Sequence, residues 1–283
     1  MKKIISVLLV SSMALACASC SKKAAETTAA PATSAAETTA AETTAAETTA
    51  AETAASETEE VTEAQAQVLS YADYVAAELE TEVTIEGYVQ AKQSWWEDKA
   101  TVYLQDENGA YFCYDMACSE ADYDLLTVGQ KIRVNGFKSE WSGEVEIVDA
   151  TFEIIDGNWV AAPVDVTAEL GSDSLIDKQN QLVSFKGMTV EASKDPNGND
   201  VAFLYNWDGS GEQGNDLYFN VSVNGQTYTF TVESYLCDSS TEVYKAVEAL
   251  NVGDVIDLEG FLYWYEGVNP HITSVAYASK AES

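Results

Sequence analysis

The chain has 283 residues, with 14 Lys and Arg against 47 Asp and Glu, a formal charge of −33 and a single histidine. That balance argues against a partner held mainly through its phosphates, and one histidine excludes a multi-histidine zinc centre. No strand-turn-helix nucleophile motif supplies a Ser or Cys partner for His271, so a non-enzyme with no cofactor is the expectation.

The first residues, Met1-Lys2-Lys3 and then an apolar run from Ile4 to Ala16, form a charged n-region and an h-region of signal-peptide length, too short to span a bilayer. The run ends in Ala14-Leu15-Ala16-Cys17, with Ala18-Ser19-Cys20 as a second candidate. Both stretches resemble the lipobox of bacterial lipoproteins. Cys17 fits better, because Cys20 would place Cys17 where an aliphatic or small residue is usual. The resemblance implies a diacylglycerol on Cys17, two acyl chains being enough for stable anchoring, and a cell-membrane location facing the exterior. An ordinary cleaved secretory signal is the alternative.

Residues 24–66 are almost wholly Ala, Glu, Thr and Ser, with Glu37, Glu42, Glu47, Glu52 and Glu57 spaced by five. A step of five advances about 140° around a helix and defines no amphipathic face. With almost nothing larger than Ala to bury, the segment is expected to be a disordered tether. As a flexible coil it would average roughly 40 Å end to end.

Beyond residue 66 the chain keeps 10 basic and 38 acidic residues, once Lys2, Lys3, Lys22, Lys23 and the nine glutamates of the spacer are set aside. Its length suits two small domains, placed at 67–160 and 161–283. A short helix near 71–79, capped by Ser70 and Asp73, leads in. Period-two alternation then predicts strands near 82–92, 100–106, 110–116, 131–139 and 144–155, with a helix near 119–126 and a hairpin turn at Asn108-Gly109. The second domain is predicted to have strands near 181–192, 201–206, 216–223, 226–233, 254–264 and 270–278, a helix near 240–250, and an added hairpin closed by Asn224-Gly225.

The two domains repeat one plan. Leu126-Thr127-Val128-Gly129-Gln130-Lys131-Ile132-Arg133-Val134-Asn135-Gly136-Phe137 matches the stretch from Leu250 to Phe261 at a constant offset of 124, and Val83 to Gly87 echoes Val183 to Gly187. Five strands with a helix between the third and fourth resemble the OB-fold barrel, as found in accessory modules of secreted bacterial proteins. The fold class expected is therefore all-β, with two tandem five-stranded OB-fold-like barrels. Gly87 and Gly187 lie mid-strand where glycine permits a bulge.

OB-folds bind through the face of strands two and three and the loops joining strands one to two and four to five, so the resemblance implies a site there. Those loops of the first copy carry Trp95-Trp96 and Trp141, while the second copy has Trp207 before its added hairpin and Trp264-Tyr265 at its four-to-five loop. Tyr103 and Tyr111 are expected to point outward on the binding face. Flat aromatic rings suit a sugar or a base. The first domain has only Lys92, Lys99, Lys131, Arg133 and Lys138 to meet phosphates, so a non-catalytic module for an extracellular glycan or surface protein is favoured over single-stranded nucleic acid. A structural spacer with all its aromatics buried is the rival. Asp195, Asn197, Asn199 and Asp200 are weak calcium candidates, lacking the Gly and Glu of an EF-hand loop. Cys113 and Cys118 are close enough in sequence for a local disulfide, and three buried thiols are equally natural.

Overall fold

The computed structural model describes residues 67–281. The signal segment, Cys17, Cys20 and the Ala/Glu/Thr spacer lie outside the described residues. Helix α1 (Tyr71–Ala76) opens the described chain, with Ser70 Oγ accepting from the Asp73 backbone N–H and donating to the Asp73 carboxylate. It stops short of residue 79 because Ala77 is already extended. Lys138, almost fully buried, donates Nζ to the carbonyls of Tyr74, Val75 and Ala77, satisfying helix-end acceptors that would otherwise face no partner.

The first barrel comprises β1 (Glu82–Lys92), β2 (Lys99–Gln105), β3 (Ala110–Ala117), α2 (Glu120–Leu125), β4 (Gln130–Trp141) and β5 (Glu144–Asn158). The strands pair in the order β1-β2-β3-β5-β4, and β1 returns to β4 to close the barrel. Alternate residues fill its interior, among them Val83, Ile85, Val102, Leu104, Cys113, Ile132, Val134 and Ile147.

The connection that follows contains β6 (Val164–Asp165) and two 3-10 turns, Thr167–Glu169 and Asp173–Lys178, for which the sequence offered no periodic signal. The second barrel is assembled from β7 (Leu182–Glu191), β8 (Ser193–Lys194), β9 (Asp200–Val201), β10 (Leu204–Tyr205), β11 (Leu217–Val223), β12 (Gln226–Val232), α3 (Glu242–Glu248), β13 (Val255–Phe261) and β14 (His271–Ser279). Its closed circuit is β7-β11-β12-β14-β13, so β7, β11, β12, β13 and β14 repeat β1 to β5. Each barrel closes through a short parallel contact between its third and fifth strands, Phe112↔Glu146 in one and Thr231↔His271 in the other. The plan is that of two OB-like barrels.

One assignment within the second copy is corrected. The hairpin over 216–233 is not an addition but barrel strands two and three, and the strand expected over 201–206 is only two fragments in an insertion between β7 and β11. Burial explains the choice. Leu217, Phe219 and Val221 of β11 and Phe230 and Val232 of β12 are fully buried, whereas residues 201–206 bury only Ala202.

Geometry also accounts for the glycines of the repeat. Gly129 and Gly253 adopt φ of +89° and +92°, and each donates its N–H to the first strand of its own barrel, at Val89 and Val190. Gly136 and Gly260 sit at register shifts where the fourth strand meets the fifth. A methyl on Gly136 would lie 2.7 Å from Ala150 Cβ, and one on Gly260 2.2 Å from the His271 carbonyl oxygen. The first-strand bulge falls at Gly187 in the second barrel, but in the first it lies between Val89 and Ala91 while Gly87 pairs in register with Ile132.

The barrels meet through an aromatic cluster of Tyr103, Phe112, Phe261 and Tyr263. Tyr103 stacks on Phe261 with ring centres 4.2 Å apart. Beside it, buried Glu144 accepts from Asn180 Nδ2 at 2.6 Å and from the Trp264 backbone N–H at 2.9 Å, and burial pushes its carboxyl far above the usual range. Gln179 adds two more links, accepting from Val145 N–H and donating to the Gly143 carbonyl.

Candidate binding cleft

Between the barrels runs a cleft of about 1410 Å³. Its aromatic walls come from the loops that the repeat singles out. Trp96, 65 % exposed, stands on the β1–β2 loop, where it exchanges backbone hydrogen bonds with Lys99 to form a tight turn through Glu97 and Asp98 at positive φ. Trp141 ends β4 just before the Ser142-Gly143 turn, and its ring lies 5.1 Å from that of Tyr265, on the β13–β14 loop of the second barrel. Trp207, 75 % exposed, projects from the insertion that precedes β11. All four residues line the cleft.

Backbone ties hold these loops in pairs. Glu266 N–H donates to the Ser142 carbonyl, joining the β13–β14 loop to the β4–β5 loop. Ser94 donates both N–H and Oγ to the Tyr235 carbonyl, joining the β1–β2 loop to the segment after β12. The walls are therefore positioned by the docked barrels rather than by either alone.

The remaining aromatic candidates fall elsewhere. Trp95 is half-buried and donates its indole N–H to the Cys118 carbonyl at 2.9 Å, anchoring the loop that presents Trp96. Trp264 packs against the core of the second barrel. Tyr103 and Tyr111 do not point outward to solvent as expected. Tyr103 is fully buried against the other barrel, and Tyr111 faces the interior of its own, edge-on to Tyr71 and Tyr74. The pairing Tyr103↔Phe112 and Leu104↔Tyr111 puts the two tyrosines on opposite faces, so their shared residue type misleads. Conversely, exposed Tyr114 and Tyr235 line the cleft without having been singled out. Tyr114 shares the outer face of β3 with Phe112 by period two, which is a signal; Tyr235 has none.

The cleft is acidic. Glu97, Asp115, Glu146, Asp216 and Glu233 line it, while Lys99 is paired with Asp115 at 2.9 Å and Lys194 with Asp200 at 2.6 Å. Burial pushes Glu233 up to about 7, even though its carboxylate accepts from the N–H groups of Tyr235 and Leu236. Burial lowers His271 to about 3, so the ring is neutral at pH 7. It stacks on Tyr263 at 4.1 Å and bonds the Tyr103 hydroxyl, which makes it a packing residue.

Every cation of the first domain is similarly committed. Lys92 donates to the Tyr123 carbonyl, Lys131 pairs with Glu86, Arg133 with Glu86 and Glu153, and Lys138 caps α1. In the loop joining β8 to β9, Asp195 accepts from the backbone N–H groups of Asn197 and Asn199 and from Asn199 Nδ2, and Asp200 holds Lys194. Two of the four calcium candidates, Asp195 and Asp200, thus already use carboxylate oxygens on partners within the turn. Among the described residues, no three His, Cys, Asp or Glu side chains converge as metal ligands. Cys113, Cys118 and Cys237 are free thiols, Cys113 within the first barrel's core.

No family model matches the chain, and no curated protein matches it significantly. Solved structures with a similar strand arrangement include a murine DNA-binding protein bound to double-stranded DNA, at 10 % identity and a TM-score of 0.33 over 71 % of this chain and 98 % of the other. A replication protein A heterotrimer bound to single-stranded DNA is similar at 10 % identity and a TM-score of 0.25, over 75 % of this chain and 69 % of that one. The single-stranded DNA-binding protein of Thermus aquaticus is similar at 15 % identity and a TM-score of 0.22, over 73 % and 97 %. The OB-like plan rests on the strand pairing of this chain and on nothing in these weak likenesses.

Proposed function

We propose that this chain is a lipid-anchored, exported binding protein without catalytic activity, and that its inter-barrel cleft takes a carbohydrate chain. The observation that carries the reading is the convergence of Trp96, Trp141, Trp207 and Tyr265, four exposed rings from four loops, on one cleft. Exposed indole on a soluble surface costs solubility, and concave sites lined by aromatics with a few polar groups are where small molecules and chains bind. Sugar rings offer apolar faces for stacking and hydroxyls for acceptors such as Glu97 and Asp216, and a neutral chain needs no cationic groove.

Single-stranded nucleic acid is the second reading, favoured by the same rings, which would stack bases. The acids of the cleft and the commitment of Lys92, Lys99, Lys131, Arg133 and Lys138 to internal partners weigh against it, because phosphate contacts dominate nucleic-acid affinity. Tryptophan fluorescence of the full chain in detergent, titrated with neutral glucan, xylan and mannan oligosaccharides and with single-stranded DNA, separates the two. A saturable change with an oligosaccharide and none with DNA is expected; saturation by DNA alone, weakening steeply with salt, would replace the carbohydrate reading.

A further inference from the structure

Glu146 is the one acid of the cleft whose situation calls for a partner. It is 8 % exposed and lines the cleft, yet among the described residues its carboxylate makes no hydrogen bond and no ion pair. Its neighbours Glu144, Glu233 and Asp115 are all engaged, by Asn180 and Trp264, by the N–H groups of Tyr235 and Leu236, and by Lys99. Largely buried yet facing the cleft, this carboxylate is only partly hydrated, and a bound cation would compensate it.

The surroundings suit a cation of a particular kind. Glu146 sits opposite Phe112 in the β3–β5 pairing. The rings of Tyr114 and Tyr263 lie 6.4 Å and 5.4 Å from that of Phe112, and both tyrosine hydroxyls feel the Glu146 charge. Phe112, Tyr114 and Tyr263 line the cleft together with this unpartnered carboxylate, and aromatic rings near an acid attract an ammonium group both by charge and by their negative faces. The two lysines of the cleft, Lys99 and Lys194, are already held by Asp115 and Asp200.

We infer that Glu146, with Phe112, Tyr114 and Tyr263, is a subsite for a primary ammonium group on the bound saccharide, so that the cleft prefers glycans with free amino sugars. This rests on the carbohydrate reading and narrows it. Burial and the nearby Asp115 raise the Glu146 carboxyl above its ordinary value, and an ammonium partner would reverse that shift.

The test compares β-1,4-linked glucosamine hexamer with its N-acetylated counterpart on the full chain, wild type and Glu146→Gln, by calorimetric titration. A charge-assisted contact predicts roughly tenfold or tighter binding of the free amine, lost in Glu146→Gln, which keeps shape and removes charge. Equal affinity for the two hexamers in the wild type overturns the subsite and leaves the carbohydrate reading standing. A preference for the amine that survives Glu146→Gln overturns the assignment to Glu146. Failure of both hexamers and of every neutral oligosaccharide overturns the carbohydrate reading together with the inference.

Discussion

The Tyr103 hydroxyl lies 2.9 Å from His271 Nδ1, joining the second strand of one barrel to the fifth strand of the other beside the aromatic cluster where the barrels meet. Replacing Tyr103 with Phe keeps the stacking on Phe261 but strands a buried ring nitrogen. The expected cost is about 1–2 kcal/mol, read from urea unfolding of the variant against the wild type. No change in the midpoint would mean that the bond contributes nothing to the junction.

Because His271 is the sole histidine, its protonation can be followed directly. With its pKa lowered to about 3 by burial, against 6.5 when exposed, the ring should stay neutral in the folded chain from pH 8 to pH 5. The imidazole carbon-bound proton resonances should be flat over that interval, and a sigmoid centred near 6.5 would show the ring to be solvated. Since the folded pKa is depressed, this group's contribution to stability is present above about 6.5 and is lost as pH falls towards 3.

Glu233 works in the opposite direction. Its carboxyl is raised to about 7, so between roughly pH 4.5 and 7 the folded chain binds a proton that the unfolded chain has released, and stability falls as pH rises through that window. The difference is on the order of 3 kcal/mol for this nearly buried group. Glu233→Gln should flatten that part of the pH dependence, measured as unfolding free energy at pH 5 and pH 8; an unchanged slope would show that Glu233 titrates normally.

The repeat glycines predict a steric outcome. A methyl on Gly260 has nowhere to go beside the His271 carbonyl, so Gly260→Ala should destabilise by about 1–3 kcal/mol or more through forced strand separation. Thermal unfolding checks this, and an unaltered melting temperature would mean that the fourth and fifth strands part freely at this point.

Much of the architecture was legible because local signals agreed with the global plan. Asn-Gly turns, period-two alternation and the glycine-bearing repeat placed β1 and β11 to β14 within a residue or two at most ends, and the loop positions in that plan picked out Trp96, Trp141 and Tyr265, whereas Trp207 was expected after a second strand and lies instead between the first two barrel strands. What failed shares one cause. In β2 nearly every residue is buried, the odd face by the second barrel and the even face by its own core, so alternation could not say which side met water, and Tyr103 was misread. Tyr111 failed by phase, since its outward neighbour on β3 is Phe112. Glu146 and Tyr235 carry no local mark at all. They become cleft residues only because two barrels dock, and docking is a relation between segments far apart in the chain, such as Ser94 and Tyr235, 141 residues apart.

The most direct test of the cleft as a carbohydrate site is the affinity of the full chain and of its Trp96→Ala/Trp141→Ala variant for the oligosaccharide that best quenches tryptophan fluorescence. Both rings are more than half exposed, so their removal leaves the cores intact. The account predicts at least a tenfold loss of affinity with unfolding behaviour unchanged, as expected for aromatic anchors worth roughly 2 kcal/mol. Undiminished binding by the variant would contradict it and move the site away from the cleft.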